Sequence, residues 1–373
     1  MKLRAFIMRV AAMANKEIMH IRRDPRTLLL ALGMPVILLV IFGYGVSFDI
    51  ERIPLVTVDH DQSAVSRSLT QAFTSANEFT NIGNKDIKQA EALLHRGEAL
   101  AILVIPVDFS KVLLANKTSP IQLIIDGADP VVTNQIISKS DAIVRAQTQR
   151  LIGVSDISLP LQVQVWTKYN PLNRSALFLV PGLAAYLLAI SAVMLTALTI
   201  AGEWERGSME QLFASPVGRL EIVIGKLLPY LVLGMVEVLL VITTGALAFD
   251  VPVRGSLVLL FTFAFLFLIG MLGQGLLISV IAKNQLVATQ AGALSSLLPS
   301  MILSGVVFPL ENMPKILQGL SYIVSARYMV AALRGIMLKG NGLETLWSEL
   351  MAQIIFATVV ITLATLRFRR RLA

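Results

Sequence analysis

Long apolar runs alternate with short polar segments along most of the chain. A membrane-spanning helix needs about 20 mostly apolar residues. Runs of this kind predict spans at about 28–48, 176–201, 221–249, 256–282, 286–308 and 347–366. The first run lies too far from the N-terminus for a secretory signal and lacks a small-residue cleavage site, so we expect it to remain as an anchor. The pattern therefore predicts a polytopic α-helical membrane protein with six transmembrane helices.

Residues 49–175, between the first and second spans, follow a different pattern. The short β-type runs are PLVTVDH, ALAILVI, PIQLIID and LQVQVWTKY. They alternate with segments of helical spacing, SAVSRSLTQAFTSAN, DIKQAEALLHRG and VVTNQIISKSDAIVRAQTQRLIG. Ser63, Asp86 and Asp108 stand where helix N-caps are expected. The alternation predicts an α+β domain that is large enough for its own core.

Composition agrees with a membrane protein. The chain has 373 residues, of which 55% are hydrophobic and 15% are charged, which is outside the usual range of soluble globular domains. Its formal net charge of +8 could suggest nucleic acid, but the basic residues lie beside the predicted spans, so we expect no nucleic-acid partner. The absence of cysteine excludes disulfides and thiolate metal sites.

The distribution of Lys and Arg predicts the orientation. Basic residues precede the first span at Lys2, Arg4, Arg9, Lys16, Arg22, Arg23 and Arg26, and a basic tail at 367–373 follows the last span with Arg367, Arg369, Arg370 and Arg371. Residues 49–175 are near neutral, with thirteen acidic and twelve basic side chains. Positively charged segments stay in the cytoplasm. We therefore expect two cytoplasmic termini and an extracytoplasmic domain, which agrees with an even number of spans.

The segment at 1–27 combines basic residues with apolar ones, such as Val10, Met13 and Ile18, at near-helical spacing. This spacing predicts an amphipathic helix that lies in the cytoplasmic membrane interface and contacts lipid. The helix should end just before Pro25. A basic leader without this role is the alternative interpretation.

Motifs for nucleotides or metals are incomplete in this sequence. The run GRLEIVIGKL from Gly218 has six residues between its glycines, where a phosphate-binding loop has four, and Leu227 replaces the hydroxyl residue. Asp59, Asp61 and Ser63 resemble the start of a calcium loop that lacks its turn glycine and its final glutamate. The three histidines lie on separate segments. We expect no catalytic residue, cofactor or metal in this chain.

A compact charged stretch, EWERGSMEQLFASPVGRLEIVIGKLLPY, separates the second and third spans. It opens with alternating charges between Glu203 and Arg206, and Ser208 stands at the N-cap of a short predicted helix. That helix, at 209–214, places its apolar side chains on one face. An apolar face in the cytosol needs a groove in a partner protein.

This stretch resembles the signature of the transmembrane subunit of ABC-2 type transporters, the drug-exporter-like permeases of bacterial inner membranes. Three more stretches resemble that family: FDVPVRGSLVLL at 249–260, LSGVVFPLENMPKILQGLSYIVSARYMVAALRGIMLKGNG at 303–342, and the terminal RFRRRL. With DPRTLLLALGMPVILLVIFGYG and VIPVDFSKVL, the resemblance covers nearly the whole chain. It implies a type V ABC exporter-like fold with an extracytoplasmic α+β domain inserted between the first and second spans.

The resemblance also implies partners. The chain would be a permease subunit without an ATPase motif, and ATP and magnesium would be bound by a separate ABC ATP-binding subunit. A second permease copy or a paralogue would complete the pathway. The segment 202–220 would be a coupling helix loop that docks on the ATPase together with the N-terminal helix. By match to the motif, the contacts are Glu203, Glu205, Arg206, Gly207, Met209, Glu210 and Leu212.

The stretch 309–342 cannot form one continuous span, because prolines and charged residues interrupt it. Irregular backbone at membrane level must be buried in protein or line a cavity. In the family this region resembles a re-entrant hairpin on the outer face. A long outer loop shaped by proline and glycine is the alternative.

Glu237 lies near the middle of the third predicted span, where a charge is costly unless it is paired, protonated or in contact with water. Gln274, Gln290 and Ser300 lie on other spans and could hydrogen-bond to it, so a structural role is the alternative. The fifth predicted span is the most polar. The candidates for the pathway are Glu237, Gln290, Ser296 and Ser300.

These features predict efflux of drugs or other amphipathic small molecules or lipids across the bacterial inner membrane, driven by ATP hydrolysis in the separate subunit. Lipid-linked glycans and small ions stay open as cargo. The outward domain favours transfer to a periplasmic adaptor near Trp166. One alternative is a proton-driven secondary transporter that uses Glu237, although we find no internal repeat. Another is a membrane receptor whose outward domain binds a ligand.

Overall fold

A computed structural model describes residues 2–45, 52–75, 78–115, 119–127, 130–152, 175–210, 215–308, 310 and 313–368. The chain divides into two compact units: Met1–Val46 with Thr167–Ala373, and Ser47–Trp166. We call the first the helical unit and the second the inserted unit. The predicted strand LQVQVWTKY with Trp166, the coupling candidate Leu212 and the tail beyond residue 368 lie outside the described residues.

The described helices and strands follow in chain order. They are α1 (Lys2–Arg23), α2 (Pro25–Gly45), β1 (Ile53–Asp59), α3 (Ala64–Ser75), β2 (Phe79–Asn84), α4 (Ile87–His95), β3 (Ala101–Ile105), α5 (Phe109–Leu114), β4 (Gln122–Ile125), α6 (Pro130–Ile152), α7 (Ser175–Glu205), α8 (Arg219–Phe249), α9 (Leu257–Ala282), α10 (Gln285–Ile302), α11 (Lys315–Ser321), α12 (Ser325–Arg334), a π-helix (Gly335–Lys339) and α13 (Leu343–Arg367). The chain is thus mostly helical.

Four or five spans can be identified among the described residues, where six were predicted. Among the described residues, α7, α8, α9 and α13 are long and apolar enough to cross a membrane, and α11 with Ser325–Lys339 would make a fifth span that bends by 86°. At the remaining two predicted spans the structure has α2 and α10. Helix α2 has 21 residues and is apolar from Leu28 onward, and α10 has 18 residues rich in Gln, Ser and Thr. The count of four or five leaves these two helices unassigned.

Helix α7 is the central helix of the helical unit. It contacts α2, α8, α9, α10 and α12. In its most apolar segment of 18 residues, 67% of the residues are buried. Polar side chains join it to α9: Thr196 donates to the Leu272 carbonyl at 2.7 Å, and the Ser279 hydroxyl accepts from the Ala201 amide at 2.8 Å. Hydrogen bonds of this kind hold helices together where the hydrophobic effect cannot.

The helix termini meet at two ends of the helical unit. At one end, Glu205 in the last turn of α7 accepts from the Gln285 amide at 2.9 Å and from its side chain at 2.6 Å. At the other end, the Gly255 amide before α9 donates to the Ile336 carbonyl of the π-helix at 3.0 Å. The connections thus alternate between the two ends, as they do in polytopic membrane proteins.

Arg334 organises the irregular stretch that follows α10. Its guanidinium donates to the carbonyls of Phe178 at 3.2 Å, Gly305 at 2.8 Å and Val306 at 3.2 Å. These bonds tie α12 to the start of α7 and to the backbone after α10. At Gly305 and Val306 they supply donors for carbonyls outside a helix, which is what irregular backbone at membrane level requires.

The inserted unit contains a four-stranded sheet in the order β2-β1-β3-β4. Strand β1 pairs in parallel with β2 and β3, and β3 pairs antiparallel with β4. Phe73 of α3 and Ile136 of α6 pack on one face, and Ala90 of α4 packs on the other. Because helices cover both faces, β1 and β3 are almost completely buried.

The polar residues after β1 shape a strand-to-helix turn. The Asp59 carboxylate accepts from the amides of Asp61 and Gln62, both at 3.0 Å. Ser63 caps α3 by accepting from the Ser66 amide at 3.0 Å. Asp86 and Asp108 occupy N-cap positions without a side-chain cap bond. Within the described residues, no group of three or more His, Cys, Asp or Glu could hold a metal.

Candidate functional site

Helix α1 packs directly on the first turns of α8. Val10 and Met13 are buried in this contact, with 8% and 6% exposure. A Cβ at Gly225 would lie 2.5 Å from the Met13 Cβ and 3.1 Å from the Val10 carbonyl oxygen, so only glycine permits this approach. Ile7 and Ile18 of α1 are exposed. Only part of the apolar surface of α1 is thus docked.

Four charged residues join α1, α7 and α8, and we call Lys16, Glu17, Glu203 and Lys226 the four-charge cluster. The Lys226 ammonium lies 2.6 Å from the Glu17 carboxylate and 3.1 Å from that of Glu203. The Lys16 ammonium lies 2.7 Å from the second oxygen of Glu203. Lys226, Glu17 and Glu203 are buried, with 1%, 4% and 6% exposure. The two lysines balance the two glutamates.

The sequence analysis missed this cluster. It considered Lys226 only as part of an incomplete phosphate-binding loop, and it did not single out Glu17. One signal was available, because a lysine inside an apolar run must find a counter-ion. The sequence offers several acids, and Glu17 lies 209 positions away from Lys226. The pairing is therefore a property of the tertiary structure.

Two of the predicted coupling residues belong to α7 instead of a loop, because α7 continues to Glu205. Glu203 is buried in the four-charge cluster. Glu205 binds Gln285 at the start of α10. Both carboxylates are therefore engaged within the chain. Arg206 is exposed and donates through Nε to the Gly202 carbonyl at 2.9 Å.

The residues after α7 form a tight turn. Gly207 has φ +69°, a left-handed conformation that glycine adopts easily. The Ser208 hydroxyl donates back to the Glu203 carbonyl at 3.3 Å. Met209 is only 1% exposed, so it is buried against its own chain. Residues 211–214 of the predicted helix lie outside the described residues. Glu210 is exposed.

A cavity of about 1160 Å³ lies in the helical unit among α1, α2, α7, α8 and α10. Met34 and Leu38 of α2 and Leu187, Ile190 and Met194 of α7 line its apolar part. The four-charge cluster contributes to its charged end through Lys16, Glu17 and Glu203. Ligand pockets for small molecules are typically about 300–1,000 Å³. The cavity is thus large enough for an amphipathic small molecule.

Glu237 is fully buried on α8 and lies behind the wall of this cavity. One of its oxygens accepts from the Ser191 hydroxyl at 2.8 Å, and Ser191 itself lines the cavity. Gln274 instead donates to the Ser295 hydroxyl at 3.2 Å. The predicted hydrogen bonds from Gln274, Gln290 and Ser300 to Glu237 are therefore replaced by a bond from Ser191, which the sequence analysis did not consider.

The other predicted pathway residues lie on different sides of α10. Ser296 and Ser300 are buried, on the side where Gly292 approaches Ala197 of α7. The Ser296 hydroxyl donates to the Gly292 carbonyl at 2.8 Å. Gln290 is exposed. The predicted pathway residues thus do not form one site. The cavity is lined instead by residues of α7, which the sequence does not distinguish from the other apolar residues of that span.

Long apolar helices that pack around a large cavity are typical of a multi-pass membrane protein. The chain belongs to the ABC-2 family of transporter proteins, because the model of the ABC-2 family transporter protein matches residues 25–366. The resemblance of the charged stretch to this family is thereby confirmed. Membership implies a separate ATP-binding partner subunit.

Similar proteins cover almost the entire chain. It is 36% identical over 368 residues to the probable multidrug ABC transporter permease YbhS of Escherichia coli (strain K12), covering 98% of this chain and 97% of the relative. It is 29% identical to the probable multidrug ABC transporter permease YbhR of the same strain, covering 97% and 99%. ABC transporter G family member 20 of Dictyostelium discoideum is 23% identical, covering 96% of this chain and 50% of the relative.

Proposed function

We propose that the chain is the permease subunit of an ABC exporter, which forms the pathway for efflux of drugs, other amphipathic small molecules or lipids. ATP hydrolysis in a separate subunit, which binds ATP and magnesium, drives the transport. The cavity beside the four-charge cluster carries this proposal, because it places a cargo-sized space next to the helices α1 and α7. The multidrug names of YbhS and YbhR support it.

We also propose six spans in a bacterial inner membrane, with α2 and α10 included. At 1.5 Å per residue, α2 is about 31 Å long and α10 about 27 Å, close to the roughly 30 Å of a bilayer core. Tyr44 near the end of α2 donates to the Ala248 carbonyl near the end of α8 at 2.9 Å. The termini are cytoplasmic, the inserted unit is an extracytoplasmic α+β domain, and 309–342 forms a re-entrant hairpin.

The ATPase contacts lie on the segment that follows α7. Gly207 and Glu210 are exposed and would touch the partner directly, and Leu212 joins them by match to the motif. Arg206, which is also exposed and lines the cavity, would lie where this contact meets the cavity. Glu203, Glu205 and Met209 would support that surface, since the first two join it to α1, α8 and α10. Motion of the ATPase would reach the cavity through the four-charge cluster. A second permease copy or paralogue completes the pathway, and a periplasmic adaptor receives the cargo.

The first test is purification of the full chain from native membranes in mild detergent, with identification of its partners and an ATPase assay. An ATP-binding subunit should co-purify. Glu210→Ala should lower its ATPase activity or its recovery. Glu98→Ala is the matched control, because Glu98 is an exposed side chain of the inserted unit that pairs with Arg96. Intact chain without any ATP-binding subunit would overturn the proposal.

A proton-driven transporter is the second candidate, because Glu237 is a fully buried carboxylate. Its Oε1 has no hydrogen-bond partner among the described residues. Glu237→Gln keeps an acceptor for Ser191 and removes the titratable proton. Under the ABC proposal, ATP-dependent transport by the Gln variant should stay within about twofold of the parent. ATP hydrolysis then drives the transport, and no proton has to bind at this buried position. Loss of transport with retained fold and ATPase binding would favour the proton-driven candidate.

A further inference from the structure

The cavity has a charged end and a long apolar wall. Along α7 the wall extends from Glu203 to Leu187, which is a rise of about 24 Å at 1.5 Å per residue. The side chains between these positions that line the cavity include Met194, Leu195 and Leu198. A molecule with one polar end and a long apolar body fits this distribution.

The acidic side chains at the charged end already have partners. Glu17 pairs with Lys226 at 2.6 Å. Glu203 pairs with Lys16 at 2.7 Å and with Lys226 at 3.1 Å. Asp24 also lines the cavity and is exposed. A cationic ligand would have to displace a lysine from Glu17 or Glu203.

The basic side chains at the same end are differently placed. Arg23 and Arg206 line the cavity and are exposed, and among the described residues neither forms an ion pair with a carboxylate. Arg206 uses its Nε for the Gly202 carbonyl, which leaves its terminal nitrogens available. His20 adds a third group that can donate. Two exposed arginines face one exposed carboxylate, that of Asp24, so the accessible charge at this end is net positive.

We propose that the cavity binds an amphipathic anion, with its acidic head at Arg23 and Arg206 and its apolar body along α7. This inference rests on the proposed permease function and names the chemical class of its cargo. Guanidinium groups match carboxylate, sulfate and phosphate heads in geometry and charge. The proposed occupant is a small molecule with a single alkyl chain, and it is distinct from a resident bilayer phospholipid.

Three ligands with the same alkyl chain and different heads test this assignment: tetradecanoate, tetradecyltrimethylammonium and tetradecanol. Each competes with a fluorescent long-chain acid for binding to the full-length protein in nanodiscs of zwitterionic lipid, without ATP. The acid should bind at least about tenfold more tightly than the ammonium. Arg23→Gln with Arg206→Gln should weaken acid binding about tenfold and change alcohol binding less than about twofold, as expected for loss of charge-assisted hydrogen bonds. Arg96→Gln should change neither.

Variants of the wall show where the body lies. Met194→Trp fills the apolar part and should weaken the binding of all three ligands alike. If neither the arginine variants nor the Met194 variant changed the affinity for the acid, the proposal would be overturned. Equal affinities for the ammonium and the acid would also overturn it. Complete displacement of the acid by anionic phospholipid in the disc would assign the site to lipid instead of cargo, which also overturns it.

The two proposals fail separately. If an ATP-binding subunit co-purifies and the acid does not bind selectively, the permease function stands and the anion assignment falls. If the acid binds selectively and no ATP-binding subunit is found, the cavity is a binding site for an amphipathic anion in a protein that is not an ABC permease. Folding of each variant is checked by thermal unfolding of the same nanodisc preparation.

Discussion

At the scale of single residues, Lys226 is the most consequential side chain of the proposed coupling site. It is 1% exposed and lies between two carboxylates from different helices. Buried ion pairs are not by themselves evidence for high stability, but loss of one partner leaves an uncompensated buried charge. The four-charge cluster therefore acts as a set, and its members should be tested together.

Lys226→Met should destabilise the helical unit by about 3–5 kcal/mol, because Glu17 loses its ammonium partner and Glu203 keeps only Lys16. The measurement is thermal unfolding in detergent, with an expected decrease of roughly 5 °C or more in Tm. Adding Glu17→Gln should restore much of the loss, since Lys16 and Glu203 then remain as a matched pair.

The matched control is Lys111→Met, which removes an exposed ion pair with Asp108 in the inserted unit. Exposed pairs contribute about 0–1 kcal/mol, so this variant should unfold near the parent temperature. If Lys226→Met unfolded at the same temperature as Lys111→Met, the cluster would have no role in holding the helices together.

At the scale of elements, the contact between α1 and α8 links the N-terminal helix to the bundle. Gly225 allows this contact, whereas Gly33 of α2 has nothing within 4 Å of the position of a Cβ. The two glycines therefore separate the effect of helix propensity from the effect of steric fit. Both lie inside helices, where alanine is otherwise better than glycine by about 0.5–1 kcal/mol.

Gly225→Ala should cost about 1–3 kcal/mol, because the new methyl group meets the Val10 backbone and the Met13 Cβ. Gly33→Ala should be neutral or slightly stabilising. Hydrogen exchange of α1 amides is the measurement, and we expect faster exchange across Lys2–Arg23 in the Gly225 variant alone. Equal protection in both variants would mean that α1 does not dock through this glycine.

At the scale of the whole molecule, the prediction concerns topology. The chain has no cysteine, so single cysteines report position without background. Lys88→Cys in the inserted unit should react with a membrane-impermeant maleimide in spheroplasts. Arg4→Cys and Lys283→Cys should react only after the membrane is permeabilised, because segments rich in Lys and Arg stay in the cytoplasm. Labelling of Arg4→Cys in intact spheroplasts would reverse the proposed orientation.

The sequence by itself determined most of the long helices. The predicted spans at 221–249 and 256–282 correspond to Arg219–Phe249 and Leu257–Ala282, because the length of an apolar run is a local property. The family signature was local as well. The whole family assignment was therefore available from residues that are close in the chain.

Helix ends were less predictable, because contacts with other segments decide them. Helix α7 extends to Glu205, where Lys226 and Lys16 balance Glu203 and Gln285 binds Glu205. Helix α10 ends at Ile302, well before the predicted residue 308. Beyond it Gly305 has φ +83°, and Arg334 takes up the carbonyls that a continued helix would have used.

Only the tertiary structure decided the site. The four-charge cluster, the bond between Ser191 and Glu237, and the cavity each join residues from different helices, such as Glu17 and Lys226 at a separation of 209 positions. Hydrophobic periodicity identifies which segments enter the membrane, but several acids satisfy the need of one buried lysine equally well. Close packing of the helices selects one partner, and with it the position of the proposed cargo.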